Sequence, residues 1–256
     1  MSGAILEVDN LTQRFGNFVA LNRVSASFQA GKLTAIIGPN GAGKTSLFNC
    51  LTGYYRPTSG AVRFQGTVVT GMDAAKVAAL GIRRTFQNIR VFPKMSVLEN
   101  VLAGGHLRAT SNLWSITVAS PGFRRNEREL HREAMASLEF VGLADQWNNL
   151  AGELPYGMRK RMELARVLIA HPVAVLLDEP AAGVSSVERA ELSRVIRRIH
   201  AQGTCVVMIE HDVDLVMEIA THVTVLDNGR TIASGPPQDV RTNPDVIRAY
   251  MGRKRK

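Results

Sequence analysis

The sequence lacks the features that mark secreted or membrane-spanning proteins. Only two of its 256 residues are cysteines, and Cys50 and Cys205 lie far apart inside apolar segments. We therefore expect buried, reduced thiols rather than a disulfide or a metal site. No apolar run approaches the ~20 residues that span a bilayer. The opening segment Met1–Asn10 lacks the regions of a secretory signal. These absences predict a protein that is made and kept in the cytoplasm.

No internal repeat of fixed period is present, which argues against two fused copies of one domain. Apolar residues make up 45% of the chain and charged residues 21%, as in an ordinary globular protein. The net charge of +9 is compatible with an acidic partner, whether nucleic acid, nucleotide phosphates or an anionic membrane face. Part of the excess lies in the tail Arg253–Lys256 and in the cluster Arg159–Arg161, whose side chains we expect to be solvated.

The order of predicted strands and helices indicates an α/β fold with a β-rich start. Strands are predicted at Ile5–Val8, Val24–Phe28 and Leu33–Ile37, with a hairpin across Ala61–Thr70. The stretch from about Ser96 to Leu150 is predicted to be helical, with a longer connection or insertion at Arg108–Asn126.

The last third of the chain alternates between strand and helix. Val173–Leu177 and Thr204–Ile209 are continuous apolar runs, and the helix predicted between them repeats its apolar residues at helical spacing, at Leu192, Val195, Ile196 and Ile199. Strands that are buried on both faces have such continuous apolar runs, so this pattern predicts a parallel sheet inside the protein. Val223–Leu226, followed by Asn228-Gly229, predicts a hairpin after it.

A phosphate-binding loop is predicted at Gly38–Thr45, which fits the pattern G-x-x-x-x-G-K-[ST]. The apolar strand Leu33–Ile37 precedes the loop, and a predicted helix at about Thr45–Leu51, closed by Gly53, follows it. Glycines let backbone N–H groups crowd around a phosphate, and the helix N-terminus adds a favourable dipole. Lys44 would reach the β- and γ-phosphates, and the Thr45 hydroxyl would bind Mg²⁺. The sequence therefore predicts nucleotide binding.

An acidic pair, Asp178-Glu179, follows the apolar strand Val173–Leu177 and precedes Pro180. A carboxylate at the end of a buried strand suits the coordination shell of Mg²⁺, which favours that role for Asp178. Glu179 could then orient and activate water. The alternative is that both acids cap the helix that follows. That alternative loses force beside a phosphate loop.

The order of these motifs resembles the ATP-binding cassette (ABC) family over nearly the whole chain. Besides the phosphate loop and the acidic pair, the resemblance includes Gln87 in Thr85–Asn88, Gly157 at the start of a helix, and His211 in Ile209–Asp212. It implies a phosphate-loop NTPase (RecA-like) fold with a parallel-sheet core, an antiparallel β subdomain and an α-helical subdomain. All of residues 1–256 would form one ATP-binding domain. Residues 1–87 and 160–256 would make the catalytic core, and residues from about 88 to 159 the helical subdomain, with an insertion near 108–126.

The resemblance also implies roles for individual residues. Phe15 would stack on adenine, although its neighbour Phe18 could serve equally. Glu179, His211 and Gln87 would be the catalytic residues, with His211 holding the γ-phosphate, and Thr45, Gln87 and Asp178 would hold Mg²⁺. The residues expected to bind ATP are Phe15, Gly38, Pro39, Asn40, Gly41, Ala42, Gly43, Lys44, Thr45 and Ser46.

The segment that would face the ATP of a partner subunit departs from the family pattern Leu-Ser-Gly-Gly-Gln. The matching residues are Leu154, Pro155, Tyr156, Gly157 and Met158. Pro155 has neither the serine hydroxyl nor a backbone N–H. Gly157 and the start of the predicted helix Met158–Ala170 could still offer backbone donors to an anion. Ser185 replaces a common aspartate, which leaves communication across the dimer in doubt.

At these positions, and in the ending Asn243–Gly252, the sequence resembles the branched-chain amino acid importer ATPases (LivG-like). Such subunits work with a second ATPase subunit, two transmembrane permease subunits and, indirectly, a periplasmic solute-binding protein. The resemblance implies a peripheral position at the cytoplasmic face of the inner membrane and a heterodimer with unequal ATP sites. The solute stays open among branched-chain or other hydrophobic amino acids, urea, amides and organic acids.

Two other classes of protein share some of these sequence features. A nucleic-acid-associated ABC ATPase would suit the positive charge, but sustained heptads, cysteine pairs and a second phosphate loop are missing from the sequence. No nucleic-acid partner is therefore expected. A nucleotide switch without hydrolysis is disfavoured by the presence of Glu179 and His211.

Overall fold

The computed structural model describes residues 3–105 and 121–251. Most of the predicted insertion at 108–126, and the basic tail at 253–256, lie outside the described residues. The chain divides into two compact units. The first contains Met1–Arg84, Val173–Pro180 and Ile196–Lys256, and the second contains Thr85–Pro172 and Ala181–Val195.

The described residues form strands and α-helices. The strands are β1 (Ala4–Phe15), β2 (Phe18–Gln29), β3 (Leu33–Ile37), β4 (Ser59–Phe64), β5 (Thr67–Val68), β6 (Ile82–Arg84), β7 (Ala174–Asp178), β8 (Cys205–Ile209), β9 (His222–Asp227) and β10 (Arg230–Gly235). The helices are α1 (Lys44–Leu51), α2 (Ala74–Ala79), α3 (Val97–Gly104), α4 (Pro121–Phe140), α5 (Tyr156–Leu168), α6 (Ser186–Ala201), α7 (Val213–Ile219), α8 (Pro237–Thr242) and α9 (Pro244–Met251).

A six-stranded sheet forms the centre of the first unit, in the order β10-β9-β3-β8-β7-β6. The pairs from β9 to β6 are parallel, and β10 joins β9 antiparallel. Every residue of β3, β7 and β8 is buried, which explains their continuous apolar sequences. The parallel sheet predicted from those sequences is therefore confirmed. The predicted hairpin is confirmed as well, since Asn228 and Gly229 both have positive φ, of 45° and 73°.

A second, antiparallel sheet of the first unit has the order β2-β1-β4-β5. Its strands β1 and β2 alternate buried and exposed residues, as expected where one face covers a core. The core beneath it includes Leu6, Leu11, Phe28 and Phe48, none of which is exposed. The fold class is thus the predicted one, an α/β core with an added antiparallel β-sheet.

The second unit contains helices α3, α4 and α5 and the first part of α6. Helix α3 begins with a capping box, in which the Ser96 hydroxyl accepts from the Glu99 N–H and the Glu99 carboxylate accepts from the Ser96 N–H. In the described residues, no helix is long and apolar enough to cross a membrane.

The basic cluster Arg159–Arg161 contradicts our expectation of solvated side chains. Lys160 is only 3% exposed. Arg161 forms an ion pair with Glu191 at 3.1 Å and donates to the carbonyl of Val141, also at 3.1 Å. Both charges lie on an inner part of helix α5, where carbonyl and carboxylate oxygens replace water. Net charge did not reveal this, because it does not say which face of a helix is buried.

Candidate functional site

The phosphate loop joins the central strand β3 to helix α1, and its glycines have the conformations that the motif requires. Gly38, Gly41 and Gly43 have φ of 148°, 80° and 101°. A Cβ on Gly38 would lie 2.0 Å from the carbonyl oxygen of Leu226, and one on Gly43 would lie 2.5 Å from that of Ala20. Two of the three glycines are therefore needed for close backbone packing as well as for φ. At Gly41 nothing lies within 4 Å of such a Cβ, so its loop face is open to a ligand.

Lys44 is the first residue of α1 and is held inside the loop. Its Nζ donates to the carbonyl oxygens of Gly38 at 2.7 Å and Pro39 at 3.0 Å, and the residue is 6% exposed. Thr45, next in the first turn, is exposed. The backbone N–H groups of a first helical turn have no partner within the helix and favour an anion. The loop thus combines a fixed positive charge, the N–H groups of a first helical turn and a hydroxyl.

The acidic pair and His211 lie together at the carboxyl ends of neighbouring strands. Asp178 ends β7 and lies opposite Ile209, the last residue of β8. His211 follows β8, and its Nε2 forms a 2.6 Å hydrogen bond with Oε1 of Glu179. Glu179 has a positive φ of 49°, which is rare for a residue with a side chain. The N–H of Glu179 donates to the carbonyl of Ile209 at 3.0 Å, so main-chain bonding maintains this strained conformation.

Arg84 is a residue of this site that the sequence analysis missed. Its Nη2 lies 2.5 Å from Oδ2 of Asp178, and both side chains are only 7% exposed. Arg84 ends β6, the strand next to β7. A sequence signal exists, because both strands end in a charged residue and their carboxyl ends lie on the same edge of the sheet.

The oxygen donors near the loop suit Mg²⁺. Mg²⁺ is usually held by one or two carboxylates together with substrate phosphates and waters, rather than by an all-protein cage. Thr45 and Asp178 supply a hydroxyl and a carboxylate. In the described part of the chain, no group of three or more histidine, cysteine, aspartate or glutamate side chains could hold a metal ion. The donor set therefore fits a metal shared with a nucleotide.

Two exposed aromatic residues lie at the hairpin between β1 and β2. Phe15 is 43% exposed and Phe18 is 63% exposed. The Phe15 ring contacts that of Tyr55 edge to face, with centroids 5.2 Å apart. This contact orients Phe15, and it brings in an aromatic residue that the sequence analysis did not select.

In the second unit, charged residues of α5 hold the backbone around Gln87, whose side chain is exposed. The Gln87 carbonyl accepts from Nζ of Lys160 at 3.3 Å, and the Phe86 N–H donates to Oε1 of Glu163 at 3.3 Å. Glu163 is 2% exposed. Burial raises the pKa of its carboxyl group, against smaller effects of the Phe86 N–H, Arg166 and Lys160.

The predicted partner-facing segment starts helix α5, with Pro155 as its N-cap. The helix begins at Tyr156 rather than at Met158, so Tyr156, Gly157 and Met158 form its first turn. The Gly157 N–H donates to Oε1 of Glu188 at 3.0 Å. Oε2 of Glu188 accepts from the N–H and the hydroxyl of Ser185 at 2.9 and 2.7 Å. The Ser185 hydrogen bonds lower the pKa of Glu188. The donor predicted for an anion is thus used here by a carboxylate of the same chain.

The arrangement in the first unit defines the class of protein. A glycine loop with a buried lysine follows the central parallel strand, and carboxylates and a histidine lie at the ends of adjacent strands. These are the parts of a phosphate-loop nucleoside triphosphatase.

Comparison with known proteins identifies the family within this class. A family model described as "ABC transporter" matches residues 21–182, and one described as "Branched-chain amino acid ATP-binding cassette transporter" matches residues 230–255. The chain therefore belongs to the ABC transporter family.

Similar proteins cover the chain almost completely. It is 43% identical to the high-affinity branched-chain amino acid transport ATP-binding protein BraF of Pseudomonas aeruginosa, over 98% of this chain and 99% of that protein. It is 40% identical to LivG of Escherichia coli K12, a protein of the same description, with the same coverage. The crystal structure of an ADP conformation of an ATP-binding cassette of an ABC transporter has 34% identity and a TM-score of 0.85, and covers 97% of this chain and 99% of its own.

Proposed function

We propose that this chain is the ATP-binding and ATP-hydrolysing subunit of an ABC importer that drives uptake of branched-chain or other hydrophobic amino acids. The observation that carries the proposal is the shared edge of the six-stranded sheet. The phosphate loop, Asp178, Glu179 and His211 all lie there. Similarity over 98% of the chain to proteins of branched-chain amino acid transport supports the choice of solute.

Each residue of the proposed nucleotide site has its own role in ATP binding or hydrolysis. The loop N–H groups and Lys44 would bind the phosphates, and Thr45, Asp178 and Gln87 would hold Mg²⁺. When bound, Mg²⁺ neutralises developing charge on the phosphates. Glu179 orients the attacking water and accepts its proton at the carboxylate, and His211 fixes the direction of that carboxylate through the 2.6 Å hydrogen bond. Phe15 stacks on the adenine.

We propose an assembly that membership of the family and the sequence of the partner-facing segment support. This subunit works with two transmembrane permease subunits at the cytoplasmic face of the inner membrane, peripherally, and a periplasmic solute-binding protein delivers the solute. The second ATPase subunit is a different chain. Pro155 offers no donor where the family has serine, so the ATP site that receives this segment stabilises its γ-phosphate less well. The site built on Lys44 and Glu179 is the productive one.

We also propose the domain division that the resemblance implies. Residues 1–87 and 160–256 form the catalytic core with its β subdomain, and residues from about 88 to 159 form the helical subdomain, within one ATP-binding domain of 1–256. Helix α5 crosses the boundary at 159 and ends at Leu168.

The proposal is tested on the purified transporter complex in proteoliposomes, with ATP hydrolysis and uptake of labelled leucine measured together. Glu179→Gln should abolish both and leave ATP binding intact, because the amide cannot accept a proton. Glu218→Gln is a matched control, since Glu218 is exposed and pairs with Arg197, and neither residue belongs to the predicted site. Intact turnover and uptake with Glu179→Gln would contradict the assignment of the productive site. Titration of the periplasmic solute-binding protein with leucine, urea, amides and organic acids then identifies the solute.

A further inference from the structure

Arg84 occupies a central place in the first unit without belonging to any of the motifs. It is the last residue of β6 and pairs with Leu176 of β7, two residues before Asp178. Its guanidinium lies over the Phe48 ring, 5.5 Å from the ring centroid. An arginine buried this far is unusual unless its charge is paired.

The guanidinium joins two elements of the nucleotide site. Nη2 contacts Oδ2 of Asp178 at 2.5 Å, and Nη1 donates to Oδ1 of Asn49 in helix α1 at 2.6 Å. Nη1 also lies 3.5 Å from the hydroxyl of Thr52, the C-cap residue of α1. The planar fork of arginine can serve both acceptors at fixed angles, whereas the single ammonium of lysine cannot reproduce that geometry.

The orientation of Asp178 depends on this contact. The terminal torsion of an aspartate has a broad distribution, so the chain alone does not fix where the carboxylate points. A short charge-assisted hydrogen bond to one oxygen fixes the plane of the group and therefore the position of the other oxygen. Asn49 fixes the guanidinium in turn, from the same helix that carries Lys44 and Thr45.

We propose that Arg84 is a positioning residue that aims the carboxylate of Asp178 at the Mg²⁺ of a bound nucleotide and keeps it in register with helix α1. This inference rests on the proposed function, in which Asp178 helps to hold that metal. Arg84 has two opposing effects on the metal, because its positive charge repels a cation while its geometry presents the ligand. Arg84→Lys separates them, since it keeps the charge and removes the fork.

The test measures ADP affinity of the purified chain by calorimetry, once with excess Mg²⁺ and once with EDTA. The quantity of interest is the gain in affinity that Mg²⁺ produces. Arg84→Lys should reduce this gain by about tenfold, the lower end of the effects of residues that orient metal ligands. The affinity in EDTA should stay within about twofold, because Lys44 and the loop still bind the phosphates.

Arg83→Lys is the matched control. Arg83 is the neighbouring arginine of β6, and its Nη1 donates to the carbonyl of Ala78 rather than to Asp178. The Arg83→Lys variant should leave the ADP affinity unchanged, both with Mg²⁺ and with EDTA. An Mg²⁺ gain that survives in Arg84→Lys, or an equal fall of both affinities, would overturn the proposal, since a merely structural arginine weakens nucleotide binding with or without metal.

A second variant keeps the test decisive if Arg84→Lys does not fold, since breaking a buried ion pair is costly. Asn49→Ala removes the other hydrogen bond of the fork and leaves the ion pair. It should reduce the Mg²⁺ gain by about threefold, the lower range for one hydrogen bond, and an unchanged gain refutes the proposal. If the parent chain itself shows no Mg²⁺ gain, the metal role of Asp178 fails, and with it this part of the proposed function.

Discussion

Replacement of Gly38 by alanine should destabilise the protein more than the same change at Gly41, three residues along the phosphate loop. Both glycines have positive φ, of 148° and 80°, so alanine introduces backbone strain of roughly 1–3 kcal/mol at either position. At Gly38 the new Cβ would also lie 2.0 Å from the carbonyl oxygen of Leu226 and 3.0 Å from its carbonyl carbon. At Gly41 it would meet no atom within 4 Å.

The contact at Gly38 cannot be relieved by a side-chain rotation. The atoms in the way belong to the main chain of β9, which is bonded to β3 on one side and to β10 on the other. Relief requires a shift of a central strand or of the loop, and overpacking of this kind costs about 1–3 kcal/mol. Gly38→Ala should therefore lower the free energy of unfolding by about 1–3 kcal/mol more than Gly41→Ala does.

Urea unfolding followed by circular dichroism measures both variants beside the parent chain. A lower midpoint with an unchanged slope reports a stability difference rather than a change in the unfolded state. Equal losses at the two glycines, or a larger loss at Gly41, would refute the reasoning, because the Leu226 contact would then have no energetic effect.

Two further predictions concern buried groups. Burial raises the pKa of Cys50 and Cys205 to about 12, so neither thiol should react with iodoacetamide at pH 8 until the chain unfolds. Labelling of the folded protein at the rate of a free thiol would contradict their burial. For Glu163, burial raises the pKa above the ordinary 4.5, so the folded state binds the proton more tightly than the unfolded state, and this carboxyl's contribution to stability falls as pH rises above 4.5. Glu163→Gln removes that dependence, and its unfolding free energy relative to the parent should rise with pH in this range. Denaturant titrations of both proteins at several pH values measure this difference in unfolding free energy. A difference that stays constant or falls as pH rises would contradict the predicted direction of the pKa shift.

The sequence predicted the central strands well because they are buried on both faces. The predicted bounds of β3 are the observed ones, β8 begins one residue later than predicted, and β7 both begins and ends one residue later. The outer strands β1 and β2 are each 12 residues long, much longer than the predicted Ile5–Val8 and Val24–Phe28. Their ladder continues through polar residues by means of register shifts, and alternation patterns do not reveal such irregularities.

The candidate site was predictable in its motifs but not in its contacts. Glu179 and His211 are 32 residues apart, and their direct hydrogen bond follows from the pairing of β7 with β8. Arg84 was missed because β6 has only three residues and its carboxylate partner lies 94 residues away. The hydrogen bond between Glu188 and the Gly157 N–H also depends on tertiary packing. The sequence predicted only that Gly157 could offer a backbone donor at the start of a helix.

Complete burial of β3, β7 and β8 makes these strands one cooperative unit with the core. Regions of this kind open only when the whole unit unfolds, and their amide hydrogens exchange on that timescale. The phosphate loop begins where β3 ends, Asp178 is the last residue of β7, and His211 comes two residues after the end of β8. The anchor points of the nucleotide site therefore share the free energy of unfolding of the core, and partial opening of surface segments leaves their spacing intact.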